Sequence, residues 1–278
     1  PISLIVLTGL VLLFGVSVAA ALSTHAPLSE QALDRALAAV LRDARFTGRI
    51  ESTLEQRLGR RLDPRLANIG RLLWFDTLTG LNDDNACAGC HSPAAGFGDT
   101  QSIAIGIDNN GIVGPNRDGP RNMRRSPMVI NTAFFPTLMW NSRFRAVSGN
   151  PFDNSGGWSF PAPEGETLSY LPHLLTAQAF IPPVERTEVT GFHFEGDNDA
   201  IRAEVLNRLN ANPTYRQLFG RVYPAVRAGE PITFDMFGAA IAYILQAVGR
   251  IRVERAVLTT PTGETVTSTR AGFVAGSD

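Results

Sequence analysis

Cys87-Ala88-Gly89-Cys90-His91 constrains this chain more than any other stretch, and it uses both of its cysteines. The spacing C-x-x-C-H is the attachment signal for c-type haem. Each thiol can add to one haem vinyl group as a thioether, and the two-residue gap matches the separation of those vinyls. The histidine that follows is then placed under the iron as proximal ligand. A Cys-x-x-Cys redox pair would want a thioredoxin-like strand–helix context and has no use for the histidine. A zinc site would want a second ligand pair, and no further cysteine exists to supply it. A fold carrying this motif must wrap polypeptide around a large apolar body.

The remaining composition is unspecialised. The 278 residues allow one large domain or two modest ones, and the formal charge of −1 with no dense basic cluster argues against a nucleic-acid partner. Ile2–Leu22 is an uncharged run of 21 residues. Such a run can cross a hydrocarbon core of about 30 Å as one helix. A secretory signal is the competing reading, with Ala19-Ala20-Ala21 offering small residues for cleavage. The run exceeds the usual signal core of roughly 7–15 residues, which favours an anchor. Covalent haem attachment takes place outside the cytoplasmic membrane, so the expectation is a single-pass inner-membrane protein with its haem domain in the periplasm.

Periodicity predicts mostly α structure with long irregular loops. Ser29 caps an amphipathic helix over 30–45, with Leu33, Leu37, Val40 and Leu41 at helical spacing. Further helices are expected over 51–62, 66–75, 199–210 and 234–254, the last behind a Thr233 cap. Residues 92–170 are rich in Gly, Pro, Asn and Asp, the composition of chain that folds around a cofactor or forms a binding surface. The tail from 259 to 278 reads as polar loop, and no strand-rich block is evident. The expected organisation is an anchor over 1–24, a helical linker over 25–65, a haem domain over 66–258 and a connector over 259–278.

The neighbours of the haem motif carry a family resemblance. Gly70-Arg71-Leu72-Leu73-Trp74-Phe75-Asp76 precedes it, and Gly96-Phe97-Gly98-Asp99 follows. Then come Gly119-Pro120-Arg121-Asn122, Ser126-Pro127, Asn131-Thr132-Ala133-Phe134, Trp140-Asn141-Ser142-Arg143, Gln178-Ala179-Phe180-Ile181-Pro182 and Glu188. In this order they resemble the N-terminal, peroxidatic haem domain of the bacterial di-haem cytochrome c peroxidase / MauG family, over residues 66–255. The resemblance implies a cytochrome c-like haem domain, one covalent haem c on Cys87, Cys90 and His91, and a distal pocket of Glu188, Gln178 and Pro182. Peroxide cleavage needs a base that moves a proton between the two oxygens and a donor that polarises the bond between them. Glu188 fits the first role and Gln178 the second, while Pro182 would shape the pocket wall. Trp140 matches the family's tryptophan between two haems, an electron conduit; a large aromatic packed in the core is the plain alternative. Asn122 matches a calcium ligand whose partners come from the second domain.

The chain also departs from the family pattern. Many members cap the resting haem with a histidine in a Gly-His pair; here the corresponding pair is Gly106-Ile107, and no histidine occurs between His91 and His173. Between Trp140 and Gln178 lie 37 residues, far more than the family carries, so 146–175 reads as an insertion, either a cover for the haem edge or a partner contact, or else an ordinary surface loop. His173, His193 and His25 read as core or surface histidines rather than ligands. The second C-x-x-C-H of the family is not in this sequence. A second haem domain outside these residues, a lost haem, or a haem on another subunit would each account for that. Two functions stay open: a membrane-anchored peroxidase taking electrons from a cytochrome or a membrane electron-transport partner, and a non-catalytic haem subunit of a larger membrane complex. Oxidation of a protein side chain, as MauG performs, is a third reading.

Overall fold

The structure, a computed structural model, describes residues 29–44, 50–160 and 168–247, together with the backbone of 251–259 and 265–273. The apolar run 2–22 lies outside the described residues, as does His25. Among the described residues no helix is long and apolar enough to cross a membrane. The chain divides into two compact units, residues 1–50 and 51–278. In the first, helix α1 (Glu30–Asp43) starts where the sequence places it, with the Ser29 side chain accepting from the Ala32 N–H at 3.3 Å. Leu33, Leu37 and Val40 along it are exposed.

The second unit holds the core. The helix expected over 51–62 shrinks to α2 (Leu54–Leu58), because Gly59 turns left-handed at φ 65° and ends it. Helix α3 (Pro64–Phe75) begins earlier than expected: Asp63 caps it by accepting from the Arg65 N–H, and Pro64 occupies the first turn, where no amide donor is needed. Helix α4 (Cys87–Cys90) is the single turn of the haem motif. A small antiparallel sheet follows in the order β1 (Thr137–Leu138), β2 (Phe144–Ala146), β3 (Trp158–Ser159). Then come α5 (Leu174–Gln178), α6 (Asn198–Ala211), α7 (Pro213–Val222), α8 (Pro224–Arg227) and α9 (Phe234–Ala247). Periodicity missed α7, whose start is set by Asn212 accepting from the Thr214 and Tyr215 amides ahead of Pro213 at its first position.

Helices α3 and α9 form the centre. Ile69, Leu73 and Trp74 on one and Phe237, Ile241, Ile244 and Leu245 on the other are buried in a shared apolar cluster. Their crossing is close because Gly70 has no side chain: a Cβ there would fall 2.0 Å from the Ala240 carbonyl oxygen. Both atoms belong to helix backbone and neither helix can yield alone. Gly70→Ala is therefore expected to destabilise the protein by about 3 kcal/mol or more, read as a lowered denaturation midpoint; a loss below about 1 kcal/mol would show that the two helices part freely.

The C-terminal stretch corrects two expectations. The helix predicted to run to residue 254 ends at Ala247, and β4 (Ile251–Thr259) pairs with β5 (Thr265–Phe273) as an antiparallel hairpin, Ile251 opposite Phe273. The tail is thus strand where loop was expected. Ile251 and Val253 alternate with Arg252 and Glu254, and β5 carries four threonines and serines between Thr265 and Thr269. The insertion 146–175 is not a plain surface loop either. Trp158 is buried on β3 with its Nε1–H donating to the Leu171 carbonyl at 3.3 Å, and Leu171, His173 and Leu174 are buried with it. Residues 161–167 lie outside the described residues.

Candidate functional site

The turn of α4 places Cys87 and Cys90 three residues apart, on one helix face. Neither is in a disulfide. Burial pushes the Cys87 thiol up to about 12 and raises Cys90 as well. Both stay protonated and redox-quiet at neutral pH, the opposite of a thioredoxin-type thiolate.

His91 follows directly, its N–H donating to the Cys87 carbonyl at 2.8 Å. Its Nδ1 lies 2.9 Å from the Pro127 carbonyl oxygen. A carbonyl only accepts, so Nδ1 carries the hydrogen and Nε2 presents a free lone pair, the tautomer of a ligating histidine. Burial holds the imidazole below its ordinary pKa, against the opposing pull of the Pro127 hydrogen bond, the Asp99 charge and the Phe97 backbone. The neutral ring is the form a metal binds. Two elements fix its orientation. Trp74, in the last turn of α3, donates its Nε1–H to the His91 carbonyl at 3.3 Å with the two rings 5.7 Å apart. Asp99, buried, accepts from the Ser126 N–H at 3.1 Å and so holds the strand of chain that carries Pro127.

The proposed distal residues lie on one irregular stretch. Gln178 ends α5, Pro182 opens a 3₁₀ turn (Pro182–Val184), and Glu188 sits inside a single π-helical turn (Arg186–Thr190). That turn is closed by the Thr190 hydroxyl donating to the Pro183 carbonyl at 2.6 Å. Isolated π turns recur at functional sites. The Glu188 carboxylate makes no hydrogen bond or ion pair among the described residues. Burial raises its pKa to about 7; the Glu185 charge adds to this, and Arg143 opposes it. Arg143 is itself engaged by Glu185 at 3.4 Å. Glu188 lies near enough to both thiols that its charge raises their pKa values beyond what burial does. Glu188 and the haem motif therefore share one site. Gln178 and Pro182 are half-buried, and no hydrogen bond joins Gln178 to Glu188 among the described residues.

The chain at Gly106-Ile107 packs against this turn. A Cβ on Gly106 would meet the Thr187 carbonyl oxygen at 2.0 Å and the Glu188 Cα at 2.9 Å. Ile107 is buried, with its N–H towards the Thr187 carbonyl at 3.4 Å. The remaining histidines are committed elsewhere. His173 accepts the Leu175 N–H on Nδ1 at 3.1 Å and sets Nε2 3.0 Å from the Ala133 carbonyl; His193 is exposed. Trp140 is 83% exposed with the Arg124 guanidinium 5.9 Å from its ring centre, which removes the core-packing alternative. Asn122 donates its backbone N–H to Ala104, and among the described residues no cluster of three or more His, Cys, Asp or Glu side chains is placed to hold a metal ion.

The donor set fits a covalent c-type haem: two free thiols on one helix face, a neutral imidazole with its lone pair unengaged, and an unpartnered carboxyl nearby. Comparison with known proteins decides the family. Residues 64–249 match the di-haem cytochrome c peroxidase family (CCP_MauG). The chain belongs to this family. It is 31% identical over 77 residues to the methylamine utilization protein MauG of Methylophilus methylotrophus, covering 28% of this chain and 20% of that protein. It is 30% identical over 78 residues to a cytochrome-c peroxidase of Denitromonas iodatirespirans, covering 28% and 18%. The chain thus spans about a fifth of the curated relatives it matches. Among solved structures it is similar to a MauG-like protein associated with microbial copper homeostasis (TM-score 0.45, 22% identity, 68% of this chain and 41% of that one). It is also similar to a variant of the diheme peroxidase BthA from Burkholderia thailandensis (TM-score 0.40, 18% identity, 67% and 40%). Family membership brings haem c as the cofactor type and accounts for a mostly helical domain around the Cys87–His91 motif. Within residues 1–278 only one attachment motif is present, whereas the family is di-haem. Two residues that sequence reasoning missed, Asn85 and Arg117, also belong to the site. Both lie in loops without periodicity, so no local signal marks them.

Proposed function

We propose that this chain is the peroxidatic haem unit of a periplasmic, membrane-anchored enzyme that reduces hydrogen peroxide to water. The observation that carries the reading is Glu188, a carboxyl without a partner among the described residues, near enough for its charge to act on the haem-attachment thiols, with a pKa raised to about 7. A haem held on Cys87, Cys90 and His91 would supply the redox chemistry that reduces peroxide. The residues of the chain do the rest. His91 would hold the haem from the proximal side. Glu188 would take a proton from one peroxide oxygen and return it to the departing one, and Gln178 would donate a hydrogen bond to the peroxide. The balance is one peroxide, two electrons and two protons to two waters. The electrons would come from a cytochrome or a membrane electron-transport complex. A calcium ion at Asn122 would draw its other ligands from beyond the described residues. Tethering by the 2–22 segment would raise the local concentration of a membrane partner.

A specific observation favours the second reading. Trp140 is a solvent-facing aromatic with a cation over it, a fitting contact for a redox partner, so a haem subunit that only relays electrons would use the same surface. Steady-state peroxide consumption by the haem-bearing chain with a reduced cytochrome as donor separates the two; electron exchange with the donor and no peroxide turnover would leave only the relay.

The resting state gives an independent check. Ile107 cannot ligate iron and His173 has both nitrogens engaged. The ferric protein is expected to show a high-spin signal by electron paramagnetic resonance, with no reductive activation step. A dominant low-spin bis-histidine signal would overturn this.

A further inference from the structure

We propose that Arg117, acting through Asn85, is a positioning residue for Glu188: it locks the haem-attachment segment, the Ile105–Gly106 backbone and the Glu188 turn into one hydrogen-bonded unit. The Arg117 side chain is buried, at 4% exposure, and makes no ion pair among the described residues. Its Nε–H donates to the Ile105 carbonyl at 3.0 Å, its Nη1 to Ile112 at 2.9 Å, and its Nη2 to Asn85 Oδ1 at 2.7 Å and to Gly106 at 3.2 Å. A guanidinium taken out of water without a counter-charge is costly, and holding a surface loop does not require one. What it achieves is a junction. Four acceptors, on Asn85, on the adjacent Ile105 and Gly106, and on Ile112, are met by one planar fork, which no other side chain can do.

Asn85 passes this order on. It is 3% exposed, and its Nδ2 donates to the Glu188 carbonyl at 2.8 Å, with the Cys90 sulfur 4.0 Å away. A guanidinium only donates, so Arg117 obliges Asn85 to present its oxygen on that side. The amide hydrogen then has to face Glu188. With the amide reversed, two oxygens would oppose each other at the Glu188 carbonyl. Arg117 thus selects the amide orientation that holds the Glu188 turn, and its bond to the Gly106 carbonyl holds the backbone against which the turn packs. Without it the turn is free to lift, water reaches the carboxyl, and its proton affinity returns towards that of an ordinary glutamate. Glu185 and Arg143, the charged groups that act on Glu188, are untouched by changes at 85 or 117.

The inference rests on the proposed role of Glu188, so its test reads the carboxyl directly. The haem-bearing full chain is prepared as Arg117→Lys, Arg117→Gln and Asn85→Ala. The Glu188 carboxylic C=O stretch, identified as the infrared band lost in Glu188→Gln, is followed through a pH titration. All three variants are expected to move its midpoint down by about one unit or more, with haem content as in the parent. Arg117→Lys keeps the charge but not the fork. Asn85→Ala adds no charge beside Glu188, removes the donor to its carbonyl and leaves Arg117 its three backbone acceptors; it carries the test if an Arg117 variant fails to take up haem. A parent-like midpoint in Arg117→Lys, or lowered thermal stability with unchanged midpoints in all three, would overturn the proposal. If the midpoints move while Glu188→Gln leaves peroxide turnover intact, the positioning role stands and the catalytic reading of Glu188 falls.

Discussion

Glu188→Gln is expected to lower peroxide turnover by about 10²–10⁴-fold, the usual loss for removing a general acid–base group. The amide keeps the size and can still donate a hydrogen bond, but it cannot take a proton. In the parent the rate should rise with pH through about 7, where burial places the carboxyl's pKa, and that limb should vanish in the variant. Stability should change in the opposite sense. The folded-state pKa of about 7 lies above the ordinary 4.5, so the native chain holds this proton more tightly than the unfolded one. Keeping the carboxyl buried costs nothing below about pH 4.5. Its cost grows as the pH rises through 7, reaching on the order of 3 kcal/mol once the group is ionised. Glu188→Gln should therefore be more stable than the parent at pH 8 and gain little at pH 4, measured by denaturant titration of the haem-bearing protein. Equal stability differences at both pH values would show that Glu188 is solvated.

Gly106→Val should cripple the site from the other side. Even a methyl there falls 2.0 Å from the Thr187 oxygen and 2.9 Å from the Glu188 Cα, both backbone atoms that cannot rotate away. The Glu188 turn must move or the Ile105–Ile107 chain must retreat, at a cost of about 3 kcal/mol or more. Because a displacement of about 1 Å at a catalytic group can lose 10²-fold in rate, turnover should fall by at least that factor even in the fraction that folds. Haem attachment, which depends on Cys87, Cys90 and His91, should survive. A variant with normal turnover would show that the close approach has no bearing on the chemistry. Next to Gly106, Ile107 fills a buried position with apolar volume and offers no atom that could ligate iron.

Local signals were readable wherever a repeat or cap lay within a few residues. Helix α1 announces itself through the Ser29 cap and its apolar periodicity, and α3, α6 and α9 through Leu66 to Trp74, Ile201 to Leu209 and Phe234 to Leu245, whose apolar residues at helical spacing become the buried face. The end of α9 was misread because Val248, Ile251 and Val253 extend an apolar pattern that fits helix or strand equally. Pairing with β5 settles it, and that partner starts only at Thr265, outside the pattern's own window.

The chemistry of attachment was legible from Cys87, Cys90 and His91 alone, since thioether formation needs only a short, contiguous spacing. Glu188 could be nominated only through family likeness. What makes it a proton carrier is an environment assembled from distant chain: Asn85 reaches it across 103 residues, and Arg117 reaches Asn85 across 32. Sequence alone determined that this chain carries a c-type haem motif, with a histidine placed to ligate and mostly helices around it. Only the tertiary structure decided that His91 Nδ1 is held by the Pro127 carbonyl, that Trp140 faces solvent, and that the Glu188 carboxyl has no hydrogen-bond or ion-pair partner among the described residues. A pKa, a tautomer and an exposed ring are properties of surroundings, and surroundings exist only once the chain has closed on itself.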